Sequence, residues 1–155
     1  MADEIKTENG YGTYMLPDGE YVGEWQDGKP HGRGRCAYNN GRVYNGEWKE
    51  GRRHGYGEYT YSDGGRYVGE YNEGRRQGRG VYTSPGGSRY EGEFQNDKYH
   101  GYGVFTMADG SKYEGEWQNG KRHGTGVSTW TDGSRHREMW KKGRLTGMPP
   151  DAQTK

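Results

Sequence analysis

A repeat of 23 residues runs through this sequence and limits what the chain can fold into. One aromatic position recurs at that interval, and a second aromatic residue follows four positions later. The first set comprises Tyr21, Tyr44, Tyr67, Tyr90 and Tyr113, with His136 at the next multiple. The second set comprises Trp25, Trp48, Tyr71, Phe94, Trp117 and Trp140. Self-similarity at a fixed period of this length is the signature of a repeat array, in which each unit stacks on its neighbours.

Each repeat is predicted to form two short β-strands. In residues 113–117, aromatic residues and Gly alternate with polar residues, which is the pattern of a strand with one apolar face. The second strand alternates in the same way, as in residues 55–61. Turns are predicted at residues 120–123 and at Asp63-Gly64, since Asp-Gly accepts positive φ. The fold class is therefore all-β, an elongated single-layer solenoid of tandem antiparallel β-hairpins with about six repeats.

A Gly-x-Gly pair opens the second strand of each repeat, as at Gly32 and Gly34. Glycine inside a strand normally weakens it, and it often marks a place where another group approaches the backbone closely. We expect a ring of the Tyr21 or Trp25 type, from a neighbouring strand, to lie flat over each of these glycines.

The array is predicted to occupy residues 10–147. Residues 10–19 form a starter strand, and complete repeats begin at positions 21, 44, 67, 90 and 113. Residues 136–147 are a degenerate cap in which the repeated Tyr, Gly and Glu are lost. Residues 1–9 and 148–155 are expected to be disordered tails.

The aromatic content separates this chain from disordered ones. Only 26% of its residues are apolar, and it has 31 Gly and a mean hydropathy of −1.47, which would be typical of disorder. It also has 15 Tyr and 5 Trp, whereas disordered segments are poor in aromatic residues. The repeated rings therefore indicate a folded array.

Charge and cysteine content argue against several classes of protein. The net charge is only +1, so the basic excess of a nucleic-acid-binding protein is missing. The single Cys36 cannot form an internal disulfide and fits a reducing compartment. The polar residues Met1 to Glu4 do not resemble a signal peptide, and no apolar run approaches the length of a membrane span.

No catalytic, cofactor or metal site is predicted. His31, His54, His100 and His123 share one turn position, but repeats lie roughly 10 Å apart and zinc ligands sit about 2 Å from the ion. Each His is expected to hydrogen-bond its own turn. Cys36 aligns with aromatic positions and is expected to be a small buried hydrophobe. Five recurring glutamates are expected on the polar face, solvated or paired across strands: Glu24, Glu47, Glu70, Glu93 and Glu116.

The turns that follow the first strand of each repeat are more basic than the rest of the chain. Two interpretations remain open: a solvated rim that keeps the array soluble, or an anion-facing edge for phosphoinositide headgroups or acidic peptides. Binding by such an edge should weaken with salt. The edge comprises Lys29, Arg52, Arg53, Arg75, Arg76, Lys98, Lys121 and Arg122.

The aromatic face is the other candidate surface. A single-layer array is expected to leave part of its ring face exposed, and exposed apolar surface marks interaction sites. We expect a partner segment, or a second copy of the chain forming a homodimer, to lie in this aromatic groove. The predicted contact residues are Tyr21, Trp25, Tyr44, Trp48, Tyr67, Tyr71, Tyr90, Phe94, Tyr113 and Trp117.

The pattern Tyr-x-Gly-Glu-Trp-x-x-Gly-Lys-x-His-Gly-x-Gly, at residues 21–34 and 113–126, resembles the MORN (membrane occupation and recognition nexus) repeat. The resemblance extends over nearly the whole chain, with departures such as Gln77 for the turn His and Asp97 for the turn Gly. It implies a scaffold or partner-binding protein without enzymatic activity or cofactor. The expected partners are proteins of a larger assembly, in the cytoplasm and on the cytoskeleton, above all a ciliary axoneme with its radial spokes. The alternative is a peripheral membrane module that binds acidic phospholipids through the basic edge.

Overall fold

The structure, a computed structural model, describes residues 9–148 and the backbone of residues 153–154. The described residues contain no helix and divide into two units, with the boundary between residues 75 and 76. In each unit the strands form a single layer, and chain neighbours pair antiparallel. The predicted all-β class and the tandem antiparallel hairpins are confirmed.

The strands recur at the predicted interval, but the turn predicted at residues 120–123 is wrong, because the chain turns at Asn119-Gly120 and the next strand begins at Lys121. The second strand of each repeat thus begins three residues before the Gly-x-Gly pair that was predicted to open it. The first unit contains β1 (Asn9–Leu16), β2 (Gly19–Gln26), β3 (Lys29–Tyr38), β4 (Val43–Lys49), β5 (Arg52–Thr60) and β6 (Arg66–Asn72). The second contains β7 (Arg75–Thr83), β8 (Arg89–Gln95), β9 (Lys98–Thr106), β10 (Lys112–Gln118), β11 (Lys121–Thr129), β12 (Arg135–Lys141), β13 (Arg144–Gly147) and β14 (Gln153–Thr154).

A two-residue turn joins the two strands of a repeat, as at Asp27 and Gly28 between β2 and β3. Both residues have positive φ, 52° and 77°, which is the type I′ geometry that matches the twist of a hairpin. Asp97 keeps the left-handed backbone with φ 71° in place of the usual Gly, because Asp tolerates that conformation. The same pair of left-handed residues recurs at Glu50-Gly51, Glu73-Gly74, Asn96-Asp97, Asn119-Gly120 and Lys142-Gly143.

A wider turn connects one repeat to the next within a unit. Between β5 and β6, the N–H of Tyr61 donates to the carbonyl of Gly65 (2.9 Å), and Gly64 has φ 97°. The Asp63 carboxylate accepts a hydrogen bond from the Gly65 N–H at 2.8 Å. The Asp-Gly signal therefore works through two groups: glycine supplies the backbone conformation, and the Asp side chain fixes the turn.

The core of each unit is a layer of tyrosine rings laid over glycine backbone. Tyr44 is fully buried, and a Cβ added to Gly57 on the neighbouring strand would collide with its ring. The phenol of Tyr44 donates to the carbonyl of Glu47 at 2.8 Å, and its ring meets that of Trp48 edge-on at 5.1 Å. The prediction that rings cover the mid-strand glycines is confirmed for the second glycine of each pair, at Gly34, Gly57, Gly103 and Gly126.

Register partners form a continuous line of glycines across each sheet. Because these positions have no side chain, the tyrosine rings can lie against the backbone on both sides of the line. In the first unit the line runs through Gly12, Gly23, Gly34, Gly46, Gly57 and Gly69. In the second unit it runs through Gly80, Gly92, Gly103, Gly115 and Gly126.

The first glycine of each pair has a different role from the predicted one. Gly32 has φ 81° and Gly55 has φ 70°, and an added Cβ would meet the carboxylate of Glu24 or Glu47 and not an aromatic ring. The register explains this, because β3 has three residues opposite the single Glu24 of β2 and is therefore bulged. The expectation of ring stacking is wrong at these positions, where glycine is required by the backbone.

The predicted tails are corrected at both ends. Asn9 belongs to β1, so the predicted N-terminal tail is one residue too long, and residues 1–8 lie outside the described part. Residues 153–154 pair with Arg135 and His136, so the prediction of disorder is wrong there as well. This pairing is possible because β13 covers only Met139 to Lys141 of β12. Residues 149–152 and 155 also lie outside the described part.

Gly103→Ala tests the packing of ring on glycine. The new methyl group would collide with Tyr90, which is fully buried and cannot move aside. We expect the free energy of unfolding to fall by about 1–3 kcal/mol or more, measured by denaturant titration. Gly86→Ala is the control, because its Cβ would have no neighbour closer than 4.0 Å. A loss of similar size in both variants would contradict the packing argument.

Candidate partner-binding surfaces

The ten ring residues predicted to line an aromatic groove form the core of the two units. The five tyrosines of the first repeat position are fully buried, and Trp48, Tyr71, Phe94 and Trp117 are 3–7% exposed. Trp25 alone of the ten is half-buried. The expectation that these rings present an open groove is wrong, because each ring is enclosed by the glycine backbone and by the next ring along the sheet. Direct contact of these residues with a partner stays a prediction.

A different set of side chains forms the accessible border of the ring face. We name it the rim row: the residues that stand just before the wider turns, spaced by one repeat. Met107 and Trp130 are 40% and 48% exposed, and Tyr38 and Tyr61 are half-buried. The rim row consists of Tyr38 and Tyr61 in the first unit and of Ser84, Met107 and Trp130 in the second. Sequence reasoning missed it, although the interval of 23 residues at these positions was a usable signal.

In the first unit the rim row borders a cluster of tyrosines and one arginine. The Tyr38 ring stacks on Tyr59 at 6.2 Å, and Tyr59 contacts Tyr61 at 4.7 Å. Arg53 donates to the Tyr38 hydroxyl (3.1 Å) and to the carbonyl of Gly74 (2.9 Å), and its guanidinium lies 5.0 Å from the Tyr59 ring centre. The cluster is held by cation–π contacts as well as by hydrogen bonds.

The predicted basic edge contains two kinds of residue. Lys29, Arg52, Arg75, Lys98 and Lys121 are exposed, as an anion-facing edge requires. Arg53, Arg76 and Arg122 are wrongly assigned to that edge, because they are half-buried on the ring face. The guanidinium of Arg122 lies over Tyr113 (4.6 Å) and Trp140 (4.8 Å), and that of Arg76 lies over Phe94 (5.2 Å). Side chains of successive residues in a strand point to opposite faces of the sheet. Arg52 and Arg53 therefore cannot both belong to one basic surface.

The turn histidines link neighbouring repeats. His31 Nδ1 accepts a hydrogen bond from the N–H of Glu50 (3.3 Å), in the turn of the next repeat. His123 does the same for Lys142 (3.2 Å), and Gln77 Oε1 does so for Asn96 (3.1 Å). The prediction that each His bonds its own turn is therefore wrong for His31 and His123. Gln77 preserves the contact because its amide oxygen is also an acceptor.

Two further results concern metals and membranes. In the described part of the chain, no three His, Cys, Asp or Glu side chains lie close enough together to hold a metal ion. Cys36 is fully buried, as predicted, and burial raises the pKa of its thiol. The described residues contain no helix that could cross a membrane.

The last repeat replaces the repeated motif with a buried polar network. Glu138 stands where the line of glycines would continue and is 5% exposed. Its carboxylate accepts hydrogen bonds from the Ser128 hydroxyl (2.7 Å) and the Trp140 indole N–H (3.0 Å). The described residues of β13 pair with β12 only from Met139 onward. A pocket of about 400 Å³ lies beside Met139 and Trp140.

Arg53→Ala and Arg52→Ala separate the two kinds of basic residue. Loss of the Arg53 guanidinium removes two hydrogen bonds and its ring contacts, so we expect the free energy of unfolding to fall by about 1–3 kcal/mol. Arg52→Ala should change it by less than about 0.5 kcal/mol, because that side chain is exposed. Denaturant titration measures both, and equal effects would contradict the assignment.

The phenol groups predict a loss of stability at high pH. Burial raises the pKa of Tyr38 and Tyr113 from 10.0 to about 12, against the opposing effect of Arg53 and Arg122. Since these pKa values are higher in the folded state, their contribution to stability is complete below pH 10 and is lost as the pH rises through 12. Ultraviolet absorbance of tyrosinate and circular dichroism should therefore change together above pH 10. Ionisation of every Tyr near pH 10 with the fold intact would contradict this.

Comparison with known proteins agrees with the repeat structure. The sequence profile of the MORN repeat matches residues 8–20, 21–41, 44–66, 67–89, 90–112 and 113–135. One solved structure, described as the SAS-4 (dCPAP) TCP domain in complex with a Proline Rich Motif of Ana2 (dSTIL) of Drosophila Melanogaster, is similar at a TM-score of 0.42 and 13% identity. That similarity covers 100% of this chain and 97% of the other, and at this level it supports no inference about function. The repeat matches cover most of the sequence, and the chain belongs to the MORN repeat family.

Proposed function

We propose that this chain is a non-enzymatic scaffold that binds partner proteins through the rim row on its ring face. Membership of the MORN repeat family supports an interaction module of this kind. The observation that carries the proposal is the rim row itself, since Tyr38, Tyr61, Met107 and Trp130 remain accessible on the ring face, where nine of the ten repeated rings are buried.

The chemistry of the rim row suits protein contacts. Tyr and Trp are the residues most often found as energetic anchors of interfaces, and Met adapts to irregular partner surfaces. None of the four covers a mid-strand glycine, the structural role of the core tyrosines. Met107 and Trp130 lie on the ring face with about half of each side chain accessible, so a partner can bury them without disturbing the core.

We place the scaffold in the cytoplasm, on a cytoskeletal assembly, with a ciliary axoneme and its radial spokes as the first candidate. The support is the family resemblance alone, because MORN repeats occur in proteins of that kind. The partner would be another protein of the same assembly.

A second candidate function rests on the exposed part of the basic edge. Lys29, Arg52, Arg75, Lys98 and Lys121 occupy one position of successive hairpins and all are exposed. Each basic residue near an anionic membrane contributes about 1 kcal/mol of attraction. This favours a peripheral contact with acidic phospholipids, which salt would weaken.

The rim row is tested by capture of cytoskeletal proteins with the tagged full chain and its variants. Tyr61→Ser and Trp130→Ala remove one anchor from each unit, and we expect each to reduce the captured partner at least about tenfold, as for an interface residue worth more than 1.4 kcal/mol. The matched controls are Tyr56→Ser and Tyr102→Ala, which remove tyrosines that are 56% and 54% exposed on the opposite face. Loss of capture in the controls, with the rim variants unaffected, would contradict the proposal.

Flotation with vesicles that contain phosphatidylserine or a phosphoinositide separates the two functions. If the scaffold function is correct, the protein captures partners and stays unbound to the vesicles. Salt-sensitive flotation that is lost in an Arg52→Ala, Arg75→Ala variant, with no partner captured, would replace the scaffold function with the membrane one.

A further inference from the structure

β1 has a free edge and, unlike β2 to β13, contains no charged residue. Residues 9–16 are Asn-Gly-Tyr-Gly-Thr-Tyr-Met-Leu, whereas each of β2 to β13 includes at least one Lys, Arg, Asp or Glu. Among the described residues β1 pairs only with β2, so its other edge is unpaired there. Tyr11 and Met15 are 73% and 75% exposed. Exposed edges of sheets are normally protected from pairing by charges, by proline or by a covering segment.

The glycine line gives a second, independent indication that this edge is covered. At the far end of the second unit the line ends in Glu138, which has a register partner in β11 and none among the described residues of β13 and β14. At β1 the line keeps Gly12, although no tyrosine from a preceding strand lies over it. The nearest atoms to a Cβ on Gly12 would be those of Tyr14 in the same strand, at 3.2 Å. Among the described residues, Gly12 therefore lacks the ring from another strand that covers Gly34, Gly57, Gly103 and Gly126.

We propose that β1 pairs antiparallel with β1 of a second copy of this chain, forming a homodimer whose sheet continues across a two-fold axis. Every interior pair of the first unit sets glycine opposite glycine. The same rule places the axis at Gly12, so that Gly12 of one copy faces Gly12 of its partner. Tyr11 then lies opposite Thr13, and Asn9 lies opposite Met15.

This register suits a second copy in particular. The two-fold axis keeps like faces together, and the ring of Tyr14 comes opposite Gly10 of the other copy, an aromatic ring against a glycine as in the core. On the other face each Tyr11 lies beside Thr13, with Met15 and the second Tyr11 as diagonal neighbours within reach of long side chains. A strand without charge meets no repulsion from its own copy.

The dimer is tested on the full chain by analytical ultracentrifugation over a range of concentrations. We expect the wild type to be a dimer that dissociates on dilution. Tyr11→Lys combined with Met15→Lys places like charges across the axis and should raise the dissociation constant at least about tenfold. Tyr56→Lys is the control for the tyrosine substitution, at a 56% exposed tyrosine of an interior strand, and should dimerise as the wild type does. A wild type that stays monomeric at every concentration would overturn the proposal.

Cysteine variants read the register. Residues directly opposite each other have Cβ atoms about 4.5–5.5 Å apart, close to disulfide range, and diagonal residues are farther apart. A mixture of Tyr11→Cys and Thr13→Cys chains should form the mixed disulfide faster than either variant links to itself. Asn45→Cys, at an exposed position of interior strand β4, is the control for random oxidation, and the native Cys36 is buried. Cross-linking no faster than that control, or a dimer unaffected by the two lysines, would place the interface elsewhere and overturn the proposal. The readouts need no partner protein, so they stand apart from the proposed scaffold function.

Discussion

The structure depends on one contact, a tyrosine ring laid on the bare backbone of a glycine in the next strand. The contact buries a large aromatic surface in a single layer, without the second layer of helix or sheet that a globular core requires. The phenol oxygen stays paired, since Tyr44, Tyr67 and Tyr90 each donate to a backbone carbonyl three residues on, at 2.8 Å. This is how a chain with only 26% apolar residues can form a core.

That contact determines the other repeated features. The Tyr21 phenol donates a hydrogen bond to the backbone carbonyl of Glu24. Opposite Glu24, strand β3 is bulged at Gly32. The bulge gives Gly32 its left-handed φ. The first glycine of the Gly-x-Gly pair is therefore required by the backbone conformation, and the second, Gly34, by contact with the Tyr21 ring. The second aromatic residue meets the tyrosine edge-on, and the half-buried Arg53 and Arg122 lie over the same rings. Residues that look like separate motifs in the sequence are therefore parts of one packing unit.

The sequence predicted whatever follows from period and alternation. The interval of 23 residues and the two-residue pattern were enough for the number of strands, the wider turns such as Asp63-Gly64, the buried Cys36 and the role of Gly57. It failed where contacts join different repeats or where a bulge shifts the register. His31 bonds Glu50 in the next repeat, and Gly32 is needed for its φ, and neither fact is visible in one repeat read alone. Exposure was misjudged because the rings shield one another, which left the rim row as the accessible border. The split between Arg52 and Arg53 was within reach of the sequence, since strict alternation puts neighbours on opposite faces.

The last repeat shows how repeated positions change where the regular pattern ends. His136 replaces the repeated Tyr, its ring is shorter, and Thr146 donates to the carbonyl of Met139 that a phenol would otherwise reach. Glu138 replaces the glycine of the line, and Ser128 and Trp140 supply hydrogen bonds to its carboxylate. Each departure from the repeat is thus compensated by local contacts. At the start of the line Gly12 keeps the repeated residue with no ring from another strand among its nearest described neighbours, and the uncharged edge of β1 is where such a packing partner can be added.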